Sequence, residues 1–201
     1  MKTFDYSLVK DPQYFKDGRM DAHSDHTYYR DGEEAKEKET SFRYDLNGIW
    51  KFHYARNYGS AIPGFEKEDY CCKDWDDIRV PAHIQMEGYD APQYANVQYP
   101  WEGHEDIHPG EIPEHFNPVA SYVKYFEVPE EMQGKRLFIS FQGAESGIAL
   151  WLNGHFVGYS EDSFTPSEFD LTPFIREKGN VHQHLDLIAG LPYENYESFG
   201  H

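Results

Sequence analysis

Apolar and polar residues alternate in several short segments of the chain. In the first of them, Trp50 and Phe52 point to one side and Lys51 to the other. This period of two is typical of a β-strand with one buried face. The segments that show it are 49–54, 121–128 and 136–141. Short strands without a repeated helical pattern predict an all-β protein, and we expect a jelly-roll-like antiparallel β-sandwich.

The clearest local signal is a hairpin. Two apolar runs, 148–152 and 155–159, flank the pair Asn153-Gly154. Both turn residues accept a positive φ, so the pair predicts a tight two-residue turn between antiparallel strands. One short helix is also predicted, because Thr172 is a suitable N-cap, Pro173 suits the first helical position, and Gly179 can end it.

Three regions follow from these patterns. Residues 1–40 carry few aliphatic side chains, so we expect an arm that packs on the domain, with a short solvated helix possible in its charged stretch 31–39. Residues 41–180 form the sandwich. Residues 181–201 form a divergent C-terminal tail, in which the alternation of residues 181–187 is good enough for a strand.

Charge and cysteine content exclude several functions. The chain of 201 residues has 18 Lys and Arg against 36 Asp and Glu, a net charge of 18 − 36 = −18. Such a charge disfavours binding to nucleic acid or to anionic membranes. The apolar runs are too short to span a bilayer, and the N-terminal sequence lacks the apolar stretch of a secretory signal. The adjacent Cys71 and Cys72 cannot clamp distant segments. We therefore expect a reduced, cytoplasmic protein.

The sequence His104-Glu105-Asp106-Ile107-His108 matches the H-E-x-x-H motif of zinc peptidases. A zinc hydrolase needs this motif inside a helix, but a Gly before it and Pro109-Gly110 after it leave about one turn. We therefore favour a polar loop with two solvated histidines. The sequence 23–26 (His-Ser-Asp-His) also favours a local turn over a metal site, and no metal or cofactor is expected in this chain.

A long loop with many Pro and Gly residues lies between positions 81 and 117, and its segment 88–101 is rich in Tyr, Trp, Asn and Gln. Aromatic faces together with amide groups are suited to hold a polyhydroxylated ligand. The same aromatic side chains could instead plug the edge of the sandwich, and composition does not distinguish the two.

Several distinctive motifs follow one another along the chain. They include Leu-Asn-Gly-Ile-Trp-Lys-Phe at 46–52, Val-Pro-Ala-His-Ile-Gln at 80–85, Tyr-Ala-Asn-Val-Gln-Tyr-Pro at 94–100, Leu-Trp-Leu-Asn-Gly at 150–154 and Pro-Ser-Glu-Phe-Asp-Leu at 166–171. From about residue 11 to 180 the chain resembles, through these collinear motifs, the N-terminal sugar-binding domain of the large bacterial β-galactosidases of glycoside hydrolase family 2.

The resemblance implies a jelly-roll domain that packs against a separate catalytic barrel, which carries the acid/base and nucleophile glutamates of a retaining mechanism. It implies that Asn96 hydrogen-bonds the galactoside, with Tyr94 and Val97 as its supports. A later aspartate of the family has no counterpart here, so we expect that the reading frame was interrupted near Asn180. The expected partners are a galactoside and the missing barrel, and assembly with further copies of the chain is compatible with the resemblance. The alternative is a stand-alone carbohydrate-binding or interaction module.

Overall fold

The computed structural model describes residues 2–24, 26–91, 103, 105–108, 111–176 and 182–191. Within them, the regular elements in chain order are β1 (Lys16–Asp17), α1 (Gly32–Glu37), β2 (Gly48–Ala55), β3 (Asp76–Val80), β4 (Val119–Phe126), β5 (Phe138–Phe141), β6 (Gly147–Leu152), β7 (His155–Glu161), β8 (Ser167–Asp170) and β9 (Gln183–Leu191). Single 3-10 turns lie at Tyr6–Lys10, Tyr58–Ser60, Glu130–Met132 and Thr172–Phe174.

The strands form two sheets. The larger has seven strands in the order β1-β7-β6-β9-β4-β2-β3, and β5 pairs with β8 in a second sheet. All paired strands are antiparallel. The prediction of an all-β antiparallel sandwich is therefore confirmed. The last described strand, β9, lies in the middle of the large sheet between β6 and β4, so residues 183–191 belong to the sandwich.

Both faces of the large sheet are buried. On the first face, Phe52, Leu150 and Leu185 pack with Ile139 and Phe169 of the small sheet. The second face carries a different cluster, listed here in full: Val9, Ala55, Phe65, Cys72, Trp75, Val119, Val123, Ala149, Trp151, Phe156, Tyr159 and Ile188. Successive residues of a strand point to opposite faces, so the fully buried β6 contributes to both clusters and reads as a continuous apolar run.

The hairpin prediction is confirmed at its turn. Asn153 and Gly154 have φ values of 53° and 81°, as a mirror-image two-residue turn requires. Asn153 is also buried, and its amide donates to the carbonyl of Phe174 and to Gln183 Oε1, both at 2.9 Å. Its Oδ1 accepts the backbone N–H of His184. The turn residue therefore also fixes the chain where it enters β9.

The helix predicted to begin at Thr172 is wrong in type and length, because Thr172–Phe174 is a single 3-10 turn. The Thr172 hydroxyl does not cap it but accepts the backbone N–H of Leu137. The one α-helix in the described residues is α1, in the arm. Asp31 caps it by accepting two backbone N–H groups, and the helix buries none of its residues. No helix among the described residues has the length and apolar character needed to cross a membrane.

The arm (residues 1–40) packs on the second face through its first half. Val9 is buried there, the Tyr14 ring stacks on Tyr159 at 5.3 Å, and the Phe4 ring contacts Trp151. β1 then pairs with β7 at the sheet edge. The rest of the second face is covered by residues 58–75, which we call the cover segment.

Candidate functional site

The predicted site residues Tyr94, Asn96 and Val97 lie outside the described residues. The structure does describe the two ends of their loop, residues 81–91 and 105–117, apart from positions 109 and 110. These two ends determine from where the loop leaves the sandwich and where it returns. They are therefore the part of the candidate site whose geometry can be derived.

The loop leaves from the first face of the large sheet. β3 ends at Val80, and a hydrogen-bonded turn over residues 83–89 follows it. The Tyr89 ring then lies 4.4 Å from the ring of Phe52, which is buried in β2, and Phe52 in turn contacts Tyr122 of β4 at 5.0 Å. Aromatic rings at such distances pack favourably, so Tyr89 anchors the outgoing end of the loop to the core.

Polar groups surround this anchor. The carboxylate of Asp90 accepts the backbone N–H of Ala91, which fixes the chain at the last described residue of the outgoing end. Burial and the neighbouring Asp90 carboxylate raise the pKa of Tyr54 on β2. Burial and the Asp76 carboxylate likewise raise the pKa of Tyr89. The root of the loop therefore combines two protonated tyrosine hydroxyls with carboxylates, a set of donors and acceptors suited to hydroxyl groups.

Sequence reasoning missed part of this root. The alternation of 49–54 placed Tyr54 in the core, and it packs there as a partly buried residue. Nothing in the sequence around Asp76 indicated that it faces the Tyr89 hydroxyl. Tyr89 and Asp90 themselves lie in the predicted aromatic loop, and that composition is the one signal that could have found them.

The returning end of the loop is fixed by Glu105. Its carboxylate accepts backbone N–H groups from Glu114 at 2.9 Å and from His115 at 2.8 Å, with a longer contact from Phe116 at 3.4 Å. Partial burial raises the pKa of Glu105, but these donors outweigh it and hold the pKa below its usual value. A carboxylate that accepts several backbone N–H groups stays ionised, so Glu105 ties two stretches of the loop together.

The segment that follows is attached to the end of β2. The buried Asn117 donates its backbone N–H to the carbonyl of Arg56 at 2.9 Å, and its amide to the carbonyl of Pro113. Asn57 donates to the carbonyl of His115 at 3.2 Å. Both ends of the loop therefore rest on β2 or on the residues just after it, and β2 serves as the common support.

The H-E-x-x-H motif is not used as in a zinc peptidase. Glu105, the residue expected to be the general base, is engaged by backbone donors, and the exposed His108 pairs with Glu111 at 3.3 Å. His104 lies outside the described residues. In the described part of the chain, no group of three or more His, Cys, Asp and Glu side chains could hold a metal ion.

The other candidate metal ligands are a histidine that contacts other polar groups and two cysteines that differ in exposure. His23 lies 2.5 Å from the Glu168 carboxylate and 3.0 Å from the carbonyl of Ser24. Cys71 is exposed and Cys72 buried, and both are free thiols.

One cavity of about 570 Å³ brings two glutamates together. It is lined by Tyr44, Glu127, Val128, Pro129, Glu130 and Gln133. Glycosidases cleave with two carboxyl groups, one of which is a general acid shielded from water. Both Glu127 and Glu130 are exposed. This cavity therefore does not offer the environment that a catalytic acid requires.

Two buried carboxyl groups lie on the second face of the large sheet. Glu161 accepts the hydroxyl of Tyr159 at 2.8 Å, and burial raises its pKa to about 7 against the opposing effects of Tyr159 and Arg19. Asp186 lies 2.9 Å from His184 Nε2, and burial raises its pKa against the effect of that histidine. Both are enclosed by packed residues, so neither presents its carboxyl group to a ligand.

The chain is similar to a family model and to parts of several β-galactosidases. The family model "Glycosyl hydrolases family 2, sugar binding domain" matches residues 43–185. The chain is 56% identical to a β-galactosidase of Halalkalibacterium halodurans over 182 residues, which are 90% of this chain and 18% of that protein. It is 44% identical to a β-galactosidase large subunit of Leuconostoc lactis over 185 residues, 86% of this chain and 29% of that protein. The chain thus spans less than a third of either relative.

Solved structures share the fold at low sequence identity. β-Glucuronidase 2 of Bacteroides uniformis matches with a TM-score of 0.54 at 14% identity, over 78% of this chain and 15% of that one. A family 2 glycosyl hydrolase of Bacteroides cellulosilyticus matches with a TM-score of 0.51 at 19% identity, over 75% and 18%. These likenesses speak for the fold alone. The family match over residues 43–185 carries the assignment, and the chain belongs to the sugar binding domain family of the family 2 glycosyl hydrolases.

Proposed function

We propose that this domain forms one wall of the substrate site of a family 2 β-galactosidase, which hydrolyses terminal β-galactosides with retention. The observation that supports this most is the 56% identity to a β-galactosidase over 90% of the chain. The anchored ends of the loop 91–104 agree with such a role. A wall can orient a substrate only if it is held in place, and both ends of this loop rest on the β2 support.

In this proposal Asn96 makes the direct contact with the sugar. An amide side chain both donates and accepts, so one asparagine can bridge neighbouring hydroxyl groups of a pyranose. Tyr94 and Val97 support it from the same loop. The jelly-roll connectivity and a cytoplasmic location belong to the same proposal.

The groups that break the glycosidic bond belong elsewhere in the enzyme. A retaining glycosidase needs two carboxyl groups across the sugar, one of them shielded from water. The two glutamates that share a cavity in the described residues are both exposed. We therefore propose that the catalytic pair comes from a separate barrel, as the family resemblance implies, and that this barrel is the partner of the domain.

The experiment that tests the wall is an NMR titration of the 15N-labelled chain with galactose. We expect millimolar binding, with amide shifts concentrated in residues 88–105, because the domain supplies only part of the site. Asn96→Ala should abolish those shifts. Asn47→Ala, the same substitution just before β2, should leave them unchanged.

Other outcomes of this titration decide between the candidate functions. Micromolar binding would favour the stand-alone carbohydrate-binding module over a partial site. The proposed contact would be contradicted if galactose well above millimolar concentration caused no amide shifts, or if Asn96→Ala showed the same shifts as the wild type.

A further inference from the structure

The second face of the large sheet buries an acidic side chain under the arm. Glu161 is the last residue of β7 and is 5% exposed. Its backbone N–H donates to the carbonyl of Phe15 at 3.0 Å, just before β1 pairs with β7. Burial of this residue therefore depends on the arm lying in place.

The surroundings of the Glu161 carboxyl group are mostly aromatic. Tyr159 shares its face of β7 and donates its hydroxyl to Oε1 at 2.8 Å. The rings of Phe4 and Tyr14, both from the arm, pack on Tyr159 at 5.5 Å and 5.3 Å. A carboxylate buried among rings gives up its hydration, so its charged form is disfavoured.

The nearby charge of Arg19 opposes the effect of burial on the Glu161 pKa but does not cancel it. Arg19 of the arm donates to Ser160 Oγ and to the main-chain carbonyl of Glu161, and so holds the backbone rather than the carboxylate. On the arm, Asp17 is engaged by Lys2 and by the Tyr14 hydroxyl. Asp162, next in the chain, accepts from Phe164 and Thr165. Tyr6 and Tyr14 of the arm act electrostatically on Tyr159, and Asp5 of the arm acts on Tyr14, so none of these groups adds positive charge.

We propose that Glu161 is a proton-dependent latch for the arm: the arm docks most tightly when the Glu161 carboxyl group is protonated, and it loosens as that group ionises. The latch is a conformational device of this chain and does not depend on the proposed sugar contact.

The sign of the effect follows from proton linkage. Burial raises the pKa of Glu161 from its ordinary value of 4.5 to about 7 when the arm is docked. The docked form therefore binds the proton more tightly than the released form. Docking is therefore strongest at low pH and weakens as the pH rises to about 7, by at most tenfold for each pH unit. Above pH 7 it stays constant.

Hydrogen exchange of the whole chain tests the latch. Protection factors, which divide out the effect of pH on chemical exchange, are measured between pH 5 and pH 8 for arm amides such as Tyr14 and Met20, both of which donate to backbone carbonyls. We expect their protection to fall as the pH rises to about 7, by at most tenfold for each pH unit, and then to level off. In Glu161→Gln it should be independent of pH and higher than in the wild type at pH 8.

Two further variants make the test specific. Glu114→Gln removes an exposed carboxylate that pairs with Lys10 of the arm, so its pH profile should match the wild type. Tyr159→Phe removes a donor that lowers the pKa of Glu161, so the fall in protection should extend to higher pH. The latch is contradicted if wild-type arm protection does not change with pH, or if Glu161→Gln keeps the wild-type slope. If Glu161→Gln does not fold, a Tyr159→Phe profile that fails to move to higher pH would overturn it.

Discussion

The two faces of the large sheet are closed by different chemistry. The first is covered by the small sheet and is packed mainly with aliphatic side chains and Phe rings, with Trp50 and several partly buried Tyr rings among them. The second is covered by the arm and the cover segment, is rich in Trp and Tyr, and buries the titratable residues Glu161, His184 and Asp186. The family match begins at residue 43, after the arm. We therefore expect the first face to hold the domain together, whereas the proposed latch would make the attachment of the arm to the second face depend on pH.

The largest effect should come from the first face. Leu150 is fully buried at the centre of the sheet, so Leu150→Ala leaves a cavity and should lower the free energy of unfolding by about 2–5 kcal/mol. Urea unfolding measures this loss. Ile49→Ala, on an exposed residue of β2, should change it by less than about 0.5 kcal/mol. Equal losses in the two variants would mean that the first face is not the stabilising core.

The junction between the faces offers the next effect. A Cβ on Gly158 would lie 2.4 Å from the carbonyl oxygen of Asp17 in β1 and 2.7 Å from the Phe169 ring of the small sheet. Gly158→Ala should therefore cost about 1–3 kcal/mol and separate β1 from β7. Gly32→Ala, where a Cβ meets nothing within 4 Å, is the control and should not destabilise. Urea unfolding midpoints would measure the loss of stability, and hydrogen exchange at residues 16–20 would measure the separation of β1 from β7. A Gly158→Ala variant as stable as the wild type would contradict the close approach.

Asp186 should give the second face a dependence on pH. Burial raises the pKa of Asp186, although His184 opposes this effect. The stability that the protonated carboxyl group contributes is therefore fully present below pH 3.8 and is lost as the pH rises through the raised pKa. The variant Asp186→Asn should thus gain stability relative to the wild type as the pH rises above 3.8. We expect less than at Gly158, because the carboxyl group can bind a proton instead of staying charged. Urea unfolding midpoints measured across this pH range test the prediction, and the exposed Asp106→Asn is the control that should show no such trend. If the midpoints of Asp186→Asn and the wild type change with pH in parallel, the Asp186 carboxyl group has no such role.

The smallest effect belongs to the arm helix. Asp31 accepts the backbone N–H groups of Glu33 and Glu34, so Asp31→Ala should lower the helical population of residues 32–37. Since α1 buries none of its residues, the midpoint for unfolding the whole chain should not move. Backbone chemical shifts of residues 32–37 measure the helical population. Glu37→Ala is the control, because Glu37 does not cap the N-terminus of the helix and the Asp31 cap stays in place. A large fall in the midpoint would show that the helix is docked.

Features set by local chemistry could be predicted from the sequence. The turn at Asn153-Gly154 depends on two residues that accept a positive φ, and strand β2 follows from its own alternation. The prediction of a helix at Thr172 was wrong for a non-local reason, since the backbone N–H of Leu137, from a distant segment, donates to the threonine hydroxyl.

The burial of Asp186 could not be predicted from the sequence either. The alternation of β9 predicts a strand, but only the cover segment makes its second face a closed one.

The candidate site was predictable to a lesser degree. The aromatic loop composition pointed to the region of Tyr89 and Asp90, but the assignment of Asn96 came from the family resemblance and remains a prediction. That Glu105 anchors the loop could not be inferred from its motif. Its partners are backbone N–H groups about ten positions further along the chain, and sequence patterns do not show which backbone groups lack a partner.

Turnover of a chromogenic β-galactoside by the purified 201-residue chain tests the central claim most directly. If this domain only positions substrate for carboxyl groups held elsewhere, hydrolysis should not exceed that of buffer at any pH from 5 to 8. Release of the chromophore that scales with protein concentration, and that is lost in Glu127→Gln or Glu130→Gln, would contradict the account.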